Sequence, residues 1–200
     1  MLALPGTAKA LAQELISLLK KVHGDDPQAS PHFGRLSCAA AVERIGGMLV
    51  GHGGTILCGG TSDAAKRYVA PTLILDPRED APIMNEEVFG PVLVLLTVES
   101  MDEAIRYIHR RPGTPLALYA FTRDASFERR LLDEIPSGTA CFNDLLVQFC
   151  NPHLPFSGLG TSGHGALHGK HYFDACQQSR GVMTKGTGLL TRTLDMQVRK

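Results

Sequence analysis

The sequence predicts an α/β fold, in which helices flank both faces of a mostly parallel β-sheet. Two observations lead to this prediction: short aliphatic and β-branched runs alternate with amphipathic segments of about ten residues, and Gly, Pro or Asp bounds the runs. Strands that alternate with helices pair in parallel, and a continuous apolar run indicates burial on both faces. The predicted strands are 55–58, 68–75, 92–98 and 116–121.

Periodic apolar residues between these runs predict the helices. The first helix begins after Thr7 as N-cap and ends at Gly24 as C-cap. Ser100 and Glu103 form the pattern of a capping box, which predicts a short helix immediately after them. The remaining predicted helices are a second one over 39–50, one carrying Phe127, Leu131 and Ile135, and one over 170–178.

Composition excludes several classes of function. Twenty basic and twenty acidic residues give a formal charge of zero, which favours neither nucleic acid nor an anionic membrane as a partner. The longest strongly apolar run, 91–98, is too short to span a membrane as a helix. Five cysteines, scattered without C-x-x-C spacing, favour a reducing, cytoplasmic setting over a disulfide framework. The chain length suits one large domain.

Two motifs suggest other chemistry, and their context argues against both. GLGTSG at 158–163 satisfies the dinucleotide pattern G-x-G-x-x-G, but no buried strand precedes it and no βαβ unit is completed after it. His164, His168 and His171 have the spacing of zinc ligands on a helix face. Three glycines within 163–169 disfavour a helix there, so surface histidines near a helix start are the better interpretation.

The most informative stretch is MNEEVFGPV at 84–92, where two carboxylates and an aromatic residue precede a buried strand. Together with FND at 142–144 and LPFSGLGTSG at 154–163, in this order and spacing, it resembles the aldehyde dehydrogenases. RYVAPT at 67–72, PLALY at 115–119 and HGK at 168–170 are similar to the class 3 group. The resemblance runs from about residue 9 to about residue 185.

The resemblance implies roles for four residues. Glu87 is expected to bind the nicotinamide ribose hydroxyls of NAD or NADP, because a carboxylate accepts two hydrogen bonds at once. Phe89 is expected to pack beside the nicotinamide. Asn143 and Phe156 are expected to support the active site. Ser157 stands where the family usually has glycine, so strain is expected in that loop.

The resemblance also implies a division of the chain: a partial catalytic domain at 1–179 and a C-terminal oligomerisation strand and tail at 180–200. No catalytic residue is assigned, because the family nucleophile and general base are expected upstream of Met1. Cys141 lies in a buried strand and is not expected to replace the nucleophile.

The implied function is oxidation of fatty or aromatic aldehydes to carboxylic acids, with the chain inactive alone. The alternative is a non-catalytic protein that forms dimers with a full-length relative; a homodimer is equally compatible with the sequence.

Overall fold

The computed structural model describes residues 1–186, which form two compact units divided between Arg111 and Pro112. The first unit contains a four-stranded sheet, a two-stranded sheet and four helices. In chain order its elements are β1 (Leu2–Ala3), α1 (Pro5–His23), α2 (Ala39–Met48), β2 (Thr55–Cys58), β3 (Ser62–Asp63), β4 (Tyr68–Val69), β5 (Thr72–Leu75), α3 (Pro82–Asn85), β6 (Val92–Thr97) and α4 (Met101–Arg110).

The four-stranded sheet has the order β1-β6-β5-β2. β6 pairs in parallel with both β1 and β5, and only β2 is antiparallel. β3 and β4 form a separate antiparallel pair. The predicted class, a mostly parallel sheet flanked by helices, is therefore confirmed.

The two faces of this sheet pack against different helices, because successive side chains of a strand point to opposite faces. Ile74 belongs to a core cluster with Val42 and Ile45 of α2. Its neighbour Leu73 belongs to a second cluster with Ala8 and other residues of α1. Burial on both faces explains why β5 and β6 appear in the sequence as continuous apolar runs.

The second unit contains a parallel pair of strands and three short helices. Its elements are β7 (Ala117–Ala120), α5 (Ala125–Glu134), β8 (Thr139–Phe142), α6 (Val147–Cys150), a 3₁₀ turn (Gly160–Ser162) and α7 (Gly169–Ala175). α5 crosses between the two strands and buries Leu131 on its inner side. The chain therefore forms a strand, helix, strand unit here, as the sequence predicts.

Several element boundaries differ from the predicted ones. α1 begins at Pro5 rather than after Thr7, because proline suits the first turn, where its missing N–H is not needed. The predicted strand 68–75 is two strands, with Pro71 and its absent N–H between them. The predicted helix 39–50 ends at Met48, and 170–178 is Gly169–Ala175. Gly24 does end α1, with a φ of 77°.

The predicted C-terminal strand at 180–185 has no regular secondary structure, and residues 187–200 lie outside the described part of the chain. The two compact units divide the chain at residue 111. The predicted boundary at residue 179 stays a prediction.

Candidate active site

Glu87 and Phe89 lie on the loop between α3 and β6, in the first unit. Both side chains are exposed, and Phe89 is 80% exposed, whereas Val88 between them packs against the core cluster of α2. Phe89 has a φ of 46°, a left-handed conformation that is unfavourable for a bulky residue. Backbone strain of this kind is concentrated at functional sites, where surrounding contacts hold it.

Two arginines that the sequence does not single out contact this loop or the helix that precedes it. Arg44 of α2 donates hydrogen bonds to the carbonyl oxygens of Glu87 and Val88. Arg111, directly after α4, donates to the carbonyl oxygen of Met84. No sequence signal distinguishes them, because an arginine on a helix face or directly after a helix ordinarily indicates solvation.

Asn143 directly follows β8 in the second unit, and its φ of 60° is also left-handed. Its backbone N–H donates to the carbonyl oxygen of Ala120 at 2.8 Å, and its side-chain oxygen accepts from the backbone N–H of Thr122 at 2.8 Å. Asn143 thus fastens the ends of β7 and β8 together. Its predicted support of the active site is consistent with this position and stays a prediction.

Phe156 is half-buried in an aromatic cluster of the same unit. Its ring lies edge-on to that of Phe149 with centroids 4.9 Å apart, and the His168 ring is 6.1 Å away. Two backbone hydrogen bonds with Leu167 hold Phe156 in an isolated bridge. These contacts fix the ring, which suits the supporting role that the resemblance implies.

The strain expected at Ser157 is absent, because Ser157 does not adopt a positive φ. The positions at which a side chain would clash with backbone atoms are two neighbouring glycines, Gly138 and Gly158. A Cβ on Gly138 would lie 2.0 Å from the carbonyl oxygen of Ser157, and one on Gly158 would lie 2.1 Å from that of Ser162. The loop path therefore depends on glycine at 138 and 158 and accepts serine at 157.

The structure brings Glu87 and Phe89 together on one loop, and α6 links the Asn143 turn to the cluster around Phe156. The two pairs belong to different units.

Two of the five cysteines, Cys141 and Cys38, have environments that affect the reactivity of the thiol in opposite directions. Cys141 is 8% exposed within β8, where attack on a substrate is hindered. Cys38 is exposed at the start of α2, where hydrogen bonding from the backbone N–H of Ala41, and then from the Ser37 hydroxyl, holds the pKa of its thiol below the usual range.

The G-x-G-x-x-G match and the spaced histidines do not adopt the local structures that a dinucleotide site or a helical zinc site requires. The GLGTSG segment contains a 3₁₀ turn and lies outside any βαβ unit. Of the three spaced histidines, only His171 lies within α7, and His168 precedes the helix with a φ of 79°. Across residues 1–186 no cluster of three or more His, Cys, Asp or Glu could hold a metal ion. The helices of this part of the chain are also too short or too polar to cross a membrane.

Comparison with known proteins identifies the family. The sequence model of the aldehyde dehydrogenase family matches residues 2–182. Aldehyde dehydrogenase family 3 comG of Dictyostelium discoideum is 42% identical over 177 residues, which are 88% of this chain and 37% of that protein. Aldehyde dehydrogenase family 3 member B1 of Homo sapiens is 39% identical over 189 residues, or 94% of this chain and 40% of that protein.

A third relative and two solved structures agree. The 4,4'-diaponeurosporen-aldehyde dehydrogenase of Staphylococcus aureus is 40% identical over 179 residues, 90% of this chain and 39% of that protein. The substrate-bound structure of Staphylococcus aureus AldH has a TM-score of 0.83 at 34% identity, covering 100% of this chain and 45% of that one. An NAD-dependent aldehyde dehydrogenase of Sinorhizobium meliloti has a TM-score of 0.76 at 27% identity, with 90% and 36% covered.

The chain thus spans about two fifths of the length of the curated relatives that it matches. The resemblance drawn from the sequence, including its class 3 character, is confirmed. The chain belongs to the aldehyde dehydrogenase family.

Proposed function

We propose that this chain is the catalytic-domain part of an NAD- or NADP-dependent aldehyde dehydrogenase that oxidises fatty or aromatic aldehydes to carboxylic acids. The observation that carries the proposal is the loop at 86–90, where an exposed carboxylate and an exposed, conformationally strained aromatic ring flank a half-buried valine. The similarity to named family 3 enzymes supports the reaction class.

The residues of the loop fit a nicotinamide cofactor. The two oxygens of the Glu87 carboxylate can accept hydrogen bonds from two neighbouring ribose hydroxyls. Phe89 offers an apolar ring surface two residues further on, which suits one face of a nicotinamide. Bound there, the cofactor would accept the hydride that leaves the aldehyde carbon. Glu87 contributes by fixing the position of the ribose, and Phe89 by excluding water from the ring.

We assign the nucleophile to a segment outside these 200 residues. In the family, a cysteine thiolate adds to the aldehyde, and after hydride transfer a glutamate activates water to hydrolyse the thioester. The burial of Cys141 within β8 argues against it as a substitute. The active enzyme would then be a homodimer of a longer protein that contains this chain, or a dimer of this chain with a full-length relative that supplies the cysteine.

The proposal is tested by Glu87→Gln in the enzyme assembled with the segment that supplies the nucleophile. Single-turnover formation of reduced cofactor at 340 nm should slow by about a hundredfold, because loss of the ribose contact misplaces the ring by about 1 Å. Glu86→Gln is the matched control, a carboxylate one residue away that is also exposed, and should leave the rate unchanged.

Two results would overturn the proposal. An unchanged single-turnover rate in Glu87→Gln would exclude the positioning role of the carboxylate. Turnover by the 200-residue chain alone, abolished by alkylation of Cys141, would place the nucleophile inside the chain.

A further inference from the structure

The loop at 86–90 needs external support to keep its conformation. The left-handed φ of Phe89 is unfavourable, and its 80% exposed ring gains no packing from the core. A loop with only its own contacts would relax and change the direction of the Glu87 carboxylate. Neighbouring elements must therefore hold the conformation.

Arg44 supplies one support from α2. Its Nη1 donates to the carbonyl oxygen of Glu87 at 3.1 Å and its Nη2 donates to that of Val88 at 2.6 Å. The guanidinium group thus binds two successive peptide groups at once, and its planar fork fixes their relative orientation. The two peptide groups lie immediately before Phe89, where the strain is.

The residue after Arg44 supports the other side of Phe89. Ile45 is fully buried, and its Cδ1 lies 2.5 Å from where a Cβ of Gly90 would be. Two consecutive residues of α2 therefore contact the peptide groups before Phe89 and the glycine after it. Because Ile45 fixes α2 in the core, Arg44 acts from a rigid base.

Arg111 supplies a second support, at the end of α3 immediately before the loop. It donates to the carbonyl oxygen of Met84, and to Oδ1 of Asn85 at 3.2 Å, while its guanidinium lies 5.8 Å from the centroid of the Tyr107 ring. Asn85 in turn donates to the carbonyl oxygen of Ala81 at 3.0 Å. Arg111 thus holds the helix that leads into the loop, and Arg44 holds the loop itself.

The charge of Arg44 is directed at carbonyl oxygens and not at the acidic side chains. Among the residues that the structure describes, Glu87 takes part in no ion pair through its carboxylate. Both of its oxygens therefore remain able to accept hydroxyl groups. An arginine that paired with the carboxylate would instead compete with a ligand.

We propose that Arg44, assisted by Arg111, is a positioning residue for the carboxylate that binds the cofactor ribose. The inference rests on the proposed function for the identity of the ligand, and on the contacts above for the positioning. In this role Arg44 acts through the backbone of Glu87 and Val88.

The positioning is tested on the 200-residue chain with a fluorescent reporter. The chain contains no tryptophan, so Phe89→Trp introduces a single one. Time-resolved anisotropy then measures its nanosecond motion. Arg44→Gln should at least double the amplitude of the fast component. Arg44→Lys keeps the charge but lacks the rigid planar fork that fits both carbonyl oxygens, so its amplitude should lie between those of Arg44→Gln and the parent.

Glu43→Gln is the matched control, an exposed residue of the same helix, and should leave the anisotropy decay unchanged. An unchanged decay in Arg44→Gln, with the circular dichroism of the parent, would overturn the positioning. If Arg44→Gln does not fold, the anisotropy decays of Arg44→Lys and Arg111→Gln are compared with that of the parent instead. An unchanged decay in both variants would also overturn the positioning role.

The assembled enzyme separates this inference from the proposed function. Arg44→Gln should lower the single-turnover rate by about tenfold with little change in the KM for aldehyde, and Arg44→Lys should restore part of the loss. Added to Glu87→Gln, it should cause no further loss, because both changes act on one contact. A rate unchanged by Arg44→Gln but slowed by Glu87→Gln overturns the inference alone. Increased motion of the reporter with no effect of Glu87→Gln overturns the proposed function and spares the support of the loop.

Discussion

The side-chain oxygen of Asn143 accepts a hydrogen bond from the backbone N–H of Thr122 at 2.8 Å, which joins the turns that follow two neighbouring parallel strands. Ligand sites of open parallel sheets lie beside the carboxyl ends of their strands. Asn143 therefore occupies a position from which one side-chain amide joins two such turns.

Asn143→Ala should lower the free energy of unfolding by about 1–3 kcal/mol, because it removes this hydrogen bond and leaves alanine with a left-handed backbone. Urea denaturation measures the change. Asn143→Asp keeps an acceptor oxygen and a residue that tolerates a positive φ, so it should recover most of the loss. Asn143→Gly should relieve the strain but not restore the bond. Equal stability of the alanine and parent proteins would contradict the assigned contact.

Local sequence patterns were sufficient to predict structure where a side chain hydrogen-bonds to the backbone of its own helical turn. The predicted cap at Ser100 is confirmed: its hydroxyl accepts from the backbone N–H of Glu103 at 3.2 Å. The second hydrogen bond of the capping box differs from the expected one, because the Glu103 carboxylate accepts from the backbone N–H of Glu99 and not from that of Ser100. Such caps depend on residues three or four positions apart, so the sequence contains the whole interaction.

Contacts between distant segments could not be predicted in this way. β1 has two residues, too few for any periodicity, and exists because β6 lies beside it. Arg44 is separated by 43 residues from the Glu87 carbonyl that it binds. The resemblance located Glu87 and Phe89 through their motif, but nothing in an exposed helical arginine indicates which carbonyl it will reach.

Gly138 offers a test of the loop that carries Phe156. A Cβ there would lie 2.0 Å from the carbonyl oxygen of Ser157 and 2.8 Å from that of Leu116, both of them backbone atoms that cannot rotate away. Gly138→Ala should therefore displace the loop and cost about 1–3 kcal/mol of stability.

Gly181→Ala is the control in the same unit, since a Cβ at that position meets nothing within 4 Å. Urea denaturation gives the stabilities, and limited proteolysis followed by mass spectrometry detects new cleavage near residue 157. Gly138→Ala with the stability and cleavage pattern of Gly181→Ala would show that the close approach is not maintained in solution.

Cys38 is expected to react with iodoacetamide at lower pH than a free cysteine does. The thiolate is the reactive form, and hydrogen bonds from the backbone N–H of Ala41 and from Ser37 stabilise it, which lowers the thiol pKa. As pH rises, the alkylation rate should therefore reach half of its plateau below the midpoint of N-acetylcysteine. Mass spectrometry of the Cys38 peptide gives the rate at each pH.

Ser37→Ala tests the cause of the shift, because it removes one of the two main stabilising contacts and should move the midpoint upward. Cys38→Ser identifies the modified peptide. A Cys38 midpoint equal to that of N-acetylcysteine would exclude stabilisation of the thiolate at the start of α2.

The last prediction concerns assembly, and it depends on the apolar residues that the second unit leaves exposed. Val182 and Met183 are 79% and 91% exposed in a segment without regular structure, and Leu146 and Phe173 are also exposed. Exposed apolar surface favours association, and an extended segment can gain backbone hydrogen bonds by pairing with the sheet edge of another subunit. We therefore expect dimers or larger species. Light scattering after size-exclusion chromatography would contradict this if it found a single species near 21.6 kDa at micromolar concentration.

The combined change Val182→Asp and Met183→Asp should weaken the assembly, with Gly181→Ala as the control. An assembly unaffected by the aspartates and by deletion from Arg180 onward would exclude strand pairing as the means of association.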